Sequence, residues 1–244
     1  MERISVSDYR KNFILKGGML IAAIVGLDSR STMDMDTTLK GMPLTEDSVR
    51  KAMTEILSFD LGDEVTFVLK NVTLIREDDV YGGYRAAIDA IYETIKTPLK
   101  IDLTTGDKIT PREITYKFKL MFEDRSINVL AYNLETVLAE KYETILRRSV
   151  MNTRMRDFYD IYILMNFQLQ NIDGSLLKKA ITATAAARGS SSVLIETGVI
   201  LDLLAYDEAM KSQWVLYQKE FSYAEDISWA DVIRAVESVG EMIR

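Results

Sequence analysis

Asp34 and Asp36 stand one residue apart, downstream of a Gly17-Gly18 pair, in a run that also holds Gly26, Arg30 and Thr32. In a strand, residues i and i+2 project from the same face. Asp34 and Asp36 then point together, with Met33 and Met35 on the opposite side. Two carboxylates held that close repel one another unless a cation neutralises them. Mg2+ or Mn2+ suits the purpose: Mg2+ takes hard oxygen ligands and often needs only one or two protein carboxylates besides substrate phosphates. A bare Asp-x-Asp is more often an exposed strand end. The glycines upstream give this one its context.

Gly17-Gly18 lies between the apolar stretches Phe13-Ile14-Leu15 and Met19 to Val25, which reads as a strand, a tight turn and a helix of about two turns. Glycine lets a backbone approach a ligand closely, and the first turn of a helix offers free N–H groups to phosphate. Gly17 and Gly18 are therefore expected to cradle phosphate beside the acids. A two-metal site needs a third carboxylate to clamp both oxygens of an in-line displacement. Asp102 is the best candidate, because it interrupts the alternating strand Leu99-Lys100-Ile101-Asp102-Leu103. The plain alternative is a sheet-edge aspartate; Asp107, in a turn, and Asp89 are poorer choices.

Basic side chains cluster further on. From Lys141 to Arg156 five basic residues meet one acid, a local balance of +4 in a chain of net charge −7. Some of these complement helix ends, but the reversal of sign marks the surface expected to face anions. Lys141 lies among Val137, Leu138 and Ile145, where a lysine usually snorkels to solvent. Asp157 and Asp160 share a helix face beside Arg154 and Arg156, a pattern that also suits a buried ion-pair network. Arg30 either binds phosphate or pairs with a catalytic aspartate. Arg188 with Ser190, Ser191 and Ser192 could contact phosphate, but reads first as a flexible turn.

The elements that must position these residues divide by pattern. The chain of 244 residues has ordinary globular composition, 48% hydrophobic and 27% charged. It holds no apolar run near the roughly 20 residues of a membrane span, and Met1 to Ser7 lacks a secretory signal pattern. A cytoplasmic protein with no membrane association is expected. No cysteine and no histidine are present, which excludes thiolate chemistry, the Ser-His-Asp triad and histidine-bound zinc. Phosphoryl chemistry assisted by a divalent metal fits what remains.

Up to about residue 130 strands and helices mix; beyond it the chain reads as helix. Thr45 caps a helix to about Ser58, and strands are expected at 65–69, 99–103 and 114–120; 84–92 is ambiguous by periodicity, its alanines favouring helix and the preceding Gly82-Gly83 a strand. Helices are expected at about 134–148, 155–167, 174–187, 193–204, 207–218 and 229–243, with Asp173 and Ser228 as N-caps. The fold class is α+β: a mixed sheet with helices over 1–130, then an all-helical domain over 131–244.

Three segments together resemble a family. The run Gly17-Gly18-x-Leu20, Gly26, Arg30-x-Thr32-x-Asp34-x-Asp36 is similar to the first motif of the AbiEii-type nucleotidyltransferase toxins, in the polymerase-beta-like superfamily. Leu138-Ala139-Glu140-Lys141 and Arg156-Asp157-Phe158-Tyr159-Asp160-Ile161-Tyr162 match its later helices in order, so the resemblance runs over roughly residues 10 to 165.

The resemblance implies a nucleotidyltransferase-like sheet and transfer of a nucleotide from an NTP to an acceptor, such as the 3′ end of a tRNA or another RNA. It implies the toxin half of a bacterial abortive-infection toxin–antitoxin pair, with a cognate antitoxin as partner, and a cleft between the two domains that takes the NTP. It assigns Asp34, Asp36 and Asp102 to the metals, with Asp102 from a neighbouring strand and free to take the acceptor's proton. Arg30 and Thr32 fall in the nucleotide-binding motif, Lys141 becomes a point charge on the phosphates, and Asp157 is the functional acid, with Asp160 structural. The rival is a nucleotide-binding regulatory protein of the same fold with weak or lost catalysis. It draws on Gly18, which stands where the superfamily often has serine, so that a hydroxyl near phosphate is missing.

Overall fold

The computed structural model describes residues 1–32, 34–75, 82–121 and 123–243. Met33, expected opposite the acids, lies outside them. The chain separates into two compact units. One comprises residues 1–24, 31–107 and 113–132; the other comprises 25–30, 108–112 and 133–244.

The first unit is built on a mixed sheet. Its strands are β1 (Phe13–Lys16), β2 (Asp34–Leu39), β3 (Val65–Ile75), β4 (Gly83–Tyr92), β5 (Ile95–Thr104), β6 (Ile114–Lys119) and β7 (Ser126–Ala131). Their order is β3-β4-β5-β2-β1-β7-β6. The pairs β1/β7 and β2/β5 are parallel and the rest antiparallel. Three helices accompany it: α1 (Glu2–Val6), α2 (Gly17–Val25) and α3 (Glu46–Leu57). Thr45 caps α3 through a reciprocal bond with Ser48. Val49, Ala52, Met53 and Ile56 form its buried stripe at helical spacing, and α3 packs on β3 and β4.

Register makes successive rows of this sheet alternate in character. Val72, Ala86, Ile101 and Met35 pair across β3-β4-β5-β2, and all four are buried. The next row runs Arg85, Asp102, Asp36, Lys16 across β4-β5-β2-β1 and projects from the other face. Burial of the first row therefore fixes the direction of the second, because a one-residue slip would turn the charges inward.

The second unit is helical: α4 (Leu134–Arg148), α5 (Met155–Gln168), α6 (Gly174–Ala187), α7 (Thr197–Tyr206), α8 (Glu208–Glu220) and α9 (Trp229–Met242). The side chains of Asn133, Asp173, Asp207 and Ser228 accept first-turn N–H groups of α4, α6, α8 and α9. Trp229 packs at a tilt against Phe158 and Trp214 in its core, with centroids 5.2 and 6.0 Å away. The helix expected at 193–204 starts later, at Thr197, after a single 3-10 turn over Ser191–Leu194. The serine run and Gly198 are poor helix formers and delay it.

Candidate active site

Each candidate group is placed by a short local device. Gly17 opens α2 with φ +66°, and a Cβ built on it would meet Asp36 Oδ2 at 2.1 Å. The Asp36 carboxylate thus lies against the bare backbone of the turn, a place that only glycine leaves open. Thr32 accepts the Asp34 N–H on its hydroxyl at 3.3 Å and so turns the chain into β2. Asp34 is exposed, Asp36 half-buried and Met35 buried between them. Asp102 is the register partner of Asp36 on the adjacent parallel strand. The three carboxylates therefore share one face of two neighbouring strands.

Two residues with no role in the sequence reading complete this face. Arg85 faces Asp102 from β4 and donates to both its oxygens, Nε to Oδ1 and Nη2 to Oδ2, each at 2.7 Å. Those bonds, with the charges of Asp102, Asp34 and Asp36, raise the pKa of the guanidinium. Lys16, at the other end of the row, reaches Asp107 at 2.8 Å. The hydroxyls of Thr38 and Thr104 also donate to Asp107, at 2.7 and 2.8 Å. Burial alone would raise the Asp107 pKa; Lys16 and the hydroxyls outweigh it and hold it at about 2. Arg85 was in principle within reach, since the two-residue turn Glu93-Thr94 between β4 and β5 sets every pair along that hairpin.

The helical unit holds a second charged group. Lys141 of α4 bonds Asp157 Oδ1 at 2.9 Å and Asp160 Oδ2 at 2.7 Å, both on α5. Arg30 Nε bonds Asp160 Oδ1 at 2.7 Å, and Arg154 Nε bonds Asp157 Oδ2 at 2.8 Å. Arg30, Asp160, Lys141, Asp157 and Arg154 thus form one line of alternating sign. Burial opposes the charge on Lys141 and on Asp157, yet the mutual attraction prevails and raises the first pKa while lowering the second. Lys141 does not snorkel. Arg30 is 1% exposed and pairs with Asp160. Arg188 is no loose turn residue either, for it bonds the buried Glu143 at 2.7 Å.

The family model for nucleotidyl transferase AbiEii toxin, type IV toxin–antitoxin system, matches residues 1–237. The chain belongs to the AbiEii toxin family. No curated protein matches it. Among solved structures it is similar to MenT4, a nucleotidyltransferase toxin of Mycobacterium tuberculosis H37Rv, with TM-score 0.54 and 15% identity over 96% of this chain and 85% of that one. It is also similar to JHP933 from Helicobacter pylori, with TM-score 0.53 and 12% identity over 99% and 84% of the two chains. At such identities the likeness is one of fold.

As an AbiEii member the chain is a nucleotidyltransferase, and the family implies a nucleotide substrate and an antitoxin. Nucleotidyltransferases of this family generally use divalent metals. The chemistry of the donors suits such an ion: Asp34, Asp36 and Asp102 offer hard carboxylate oxygens on one face, with the Arg85 fork engaging both oxygens of Asp102. Among the described residues no group of three or more acidic side chains is placed to hold a metal ion by itself. No helix among them is long and apolar enough to cross a membrane.

Proposed function

We propose that this AbiEii-family toxin transfers a nucleotide from an NTP to a hydroxyl of an RNA acceptor, such as a tRNA 3′ end, with Mg2+ or Mn2+ held by Asp34, Asp36 and Asp102. The observation that carries the reading is the register of β2 on β5, which puts Asp36 and Asp102 side by side while Asp36 rests on the Gly17 turn. A divalent cation bound there supplies charge neutralisation for the transferring phosphoryl group.

The chain's own residues do the remainder. Gly17, Gly18 and the first N–H groups of α2 receive phosphate oxygens. The acceptor hydroxyl attacks the α-phosphorus, its proton passes to the Asp102 carboxylate, and the bond to the pyrophosphate oxygen breaks. Lys141 is the point charge assigned to the leaving pyrophosphate, fixed in position between Asp157 and Asp160. Asp157 holds Lys141, and Thr32 shapes the approach to Asp34.

The test is to incubate the protein with each α-labelled NTP and total bacterial RNA, with and without Mg2+ or Mn2+. Labelled RNA and released pyrophosphate are expected, dependent on the ion. Asp34→Ala and Asp36→Ala are expected to give no product while circular dichroism and the melting temperature stay unchanged. Full transfer by either variant would falsify the assignment. Label on protein and not on RNA would move the acceptor from RNA to a protein hydroxyl.

A further inference from the structure

The carboxylate face already has a cation, and the chain supplies it. Asp36 and Asp102 are direct neighbours on adjacent strands, at a strand spacing of about 4.8 Å, and two carboxylates held that close call for positive charge. Lys16 stands in the same row beside Asp36 and also bonds Asp107. Arg85 answers Asp102, with a two-pronged grip that matches fork to carboxylate. The arginine side chain is 41% exposed and Asp102 18%, so the guanidinium can swing into solvent without disturbing packed side chains. An ion binding Asp102 through the oxygens that Arg85 now holds has to take them from Arg85.

We propose that Arg85 is a resident counter-ion that a divalent cation must displace from Asp102, and that it thereby sets the metal affinity of the nucleotide-free protein. The inference rests on the assignment of Asp34, Asp36 and Asp102 as metal ligands. Its consequence is that the protein alone holds the ion weakly. An incoming nucleotide adds phosphate ligands and completes the exchange. Arg85 is then a positioning residue for Asp102, and its substitution changes metal affinity rather than only the rate of transfer.

Mn2+ binding to the nucleotide-free protein, followed by calorimetry and by the electron paramagnetic resonance signal of free Mn2+, tests this. Arg85→Gln is expected to bind Mn2+ roughly tenfold tighter than the unaltered chain, the scale of one charge-assisted contact removed from competition. Arg85→Lys, which keeps the charge and loses the fork, is expected to fall between the two. Mn2+ is also expected to raise the melting temperature more in Arg85→Gln than in the unaltered protein, a readout that doubles as a check that the variant folds. Asp36→Asn separates the two levels of the argument. If it weakens Mn2+ binding while Arg85→Gln and Arg85→Lys leave it unchanged or weaker, the counter-ion role is overturned and the metal site stands. If Asp36→Asn and Asp34→Asn have no effect on Mn2+ binding, the metal assignment fails and the role of Arg85 falls with it.

Discussion

At the scale of single residues, the site depends on a side chain that is not there. Gly17 combines a left-handed backbone, φ +66°, with a position where a Cβ would lie 2.1 Å from Asp36 Oδ2. Alanine at Gly17 would carry the conformational cost of about 1–2 kcal/mol and would also push the carboxylate off its seat. Displacing a reacting group by an ångström can cost about 100-fold in rate. Gly17→Ala is expected to lower transfer by about that factor, more than its loss of stability explains. Gly26 provides the control: its φ is +95°, and nothing lies within 4 Å of a Cβ built on it. Gly26→Ala is expected to show the same order of destabilisation in thermal melts while keeping its transfer activity. Equal loss of activity in the two variants would mean that backbone strain, and not the contact with Asp36, is what matters.

At the scale of elements, α4 and α5 are joined by charge as well as by packing. Lys141 bonds both Asp157 and Asp160, and the side chains of these acids are nearly without solvent contact. Removing one partner of a buried pair typically costs about 3–5 kcal/mol, because the other charge stays behind. Lys141→Met is expected to destabilise the helical unit by that order in urea unfolding, and Lys141→Arg by much less. A Lys141→Met variant with unchanged unfolding but weakened NTP binding would place the lysine on phosphate alone. Much at this scale was legible in the sequence. Asp173 and Ser228 announced α6 and α9 because caps are local chemistry, and the alternation of Leu99 to Leu103 announced β5. The expected strand at 65–69 runs on to Ile75, because a register shift between Leu69 and Asn71 breaks the alternation that would have revealed it. β7 lies beyond the strands expected from the sequence, although Ile127, Val129 and Ala131 alternate inward along it. The acids Asp34, Asp36 and Asp102 could be found from strand alternation. The bond of Arg30 to Asp160 spans 130 residues, and no local pattern encodes it. Asp107 looked like a turn residue because its three partners come from β1, β2 and β5.

At the scale of the whole molecule, a chain without histidine has no side chain whose ordinary pKa lies between pH 5 and 8. Its response to acid must come chiefly from carboxylates, and Asp107 is the one with the clearest expected signature. Its pKa of about 2 lies below the ordinary 3.8 because Lys16, Thr38 and Thr104 favour the charged form within the fold. A carboxyl lowered in the folded state adds stability above its unfolded pKa and loses it as pH falls through the folded one. The contribution is therefore complete above about pH 4 and fades toward pH 2, with a size of roughly 2 kcal/mol for a shift of this magnitude. Asp107→Asn is expected to lower the stability of the sheet unit by about that amount at pH 7, and urea melts at falling pH should bring the two proteins together. The order matters: the unaltered protein approaches the variant from above, since acid converts Asp107 into a neutral group much like the asparagine. A gap that stays constant from pH 7 to pH 3 would show that Asp107 acts through its hydrogen bonds alone, and that the charge on Lys16 is neutralised elsewhere.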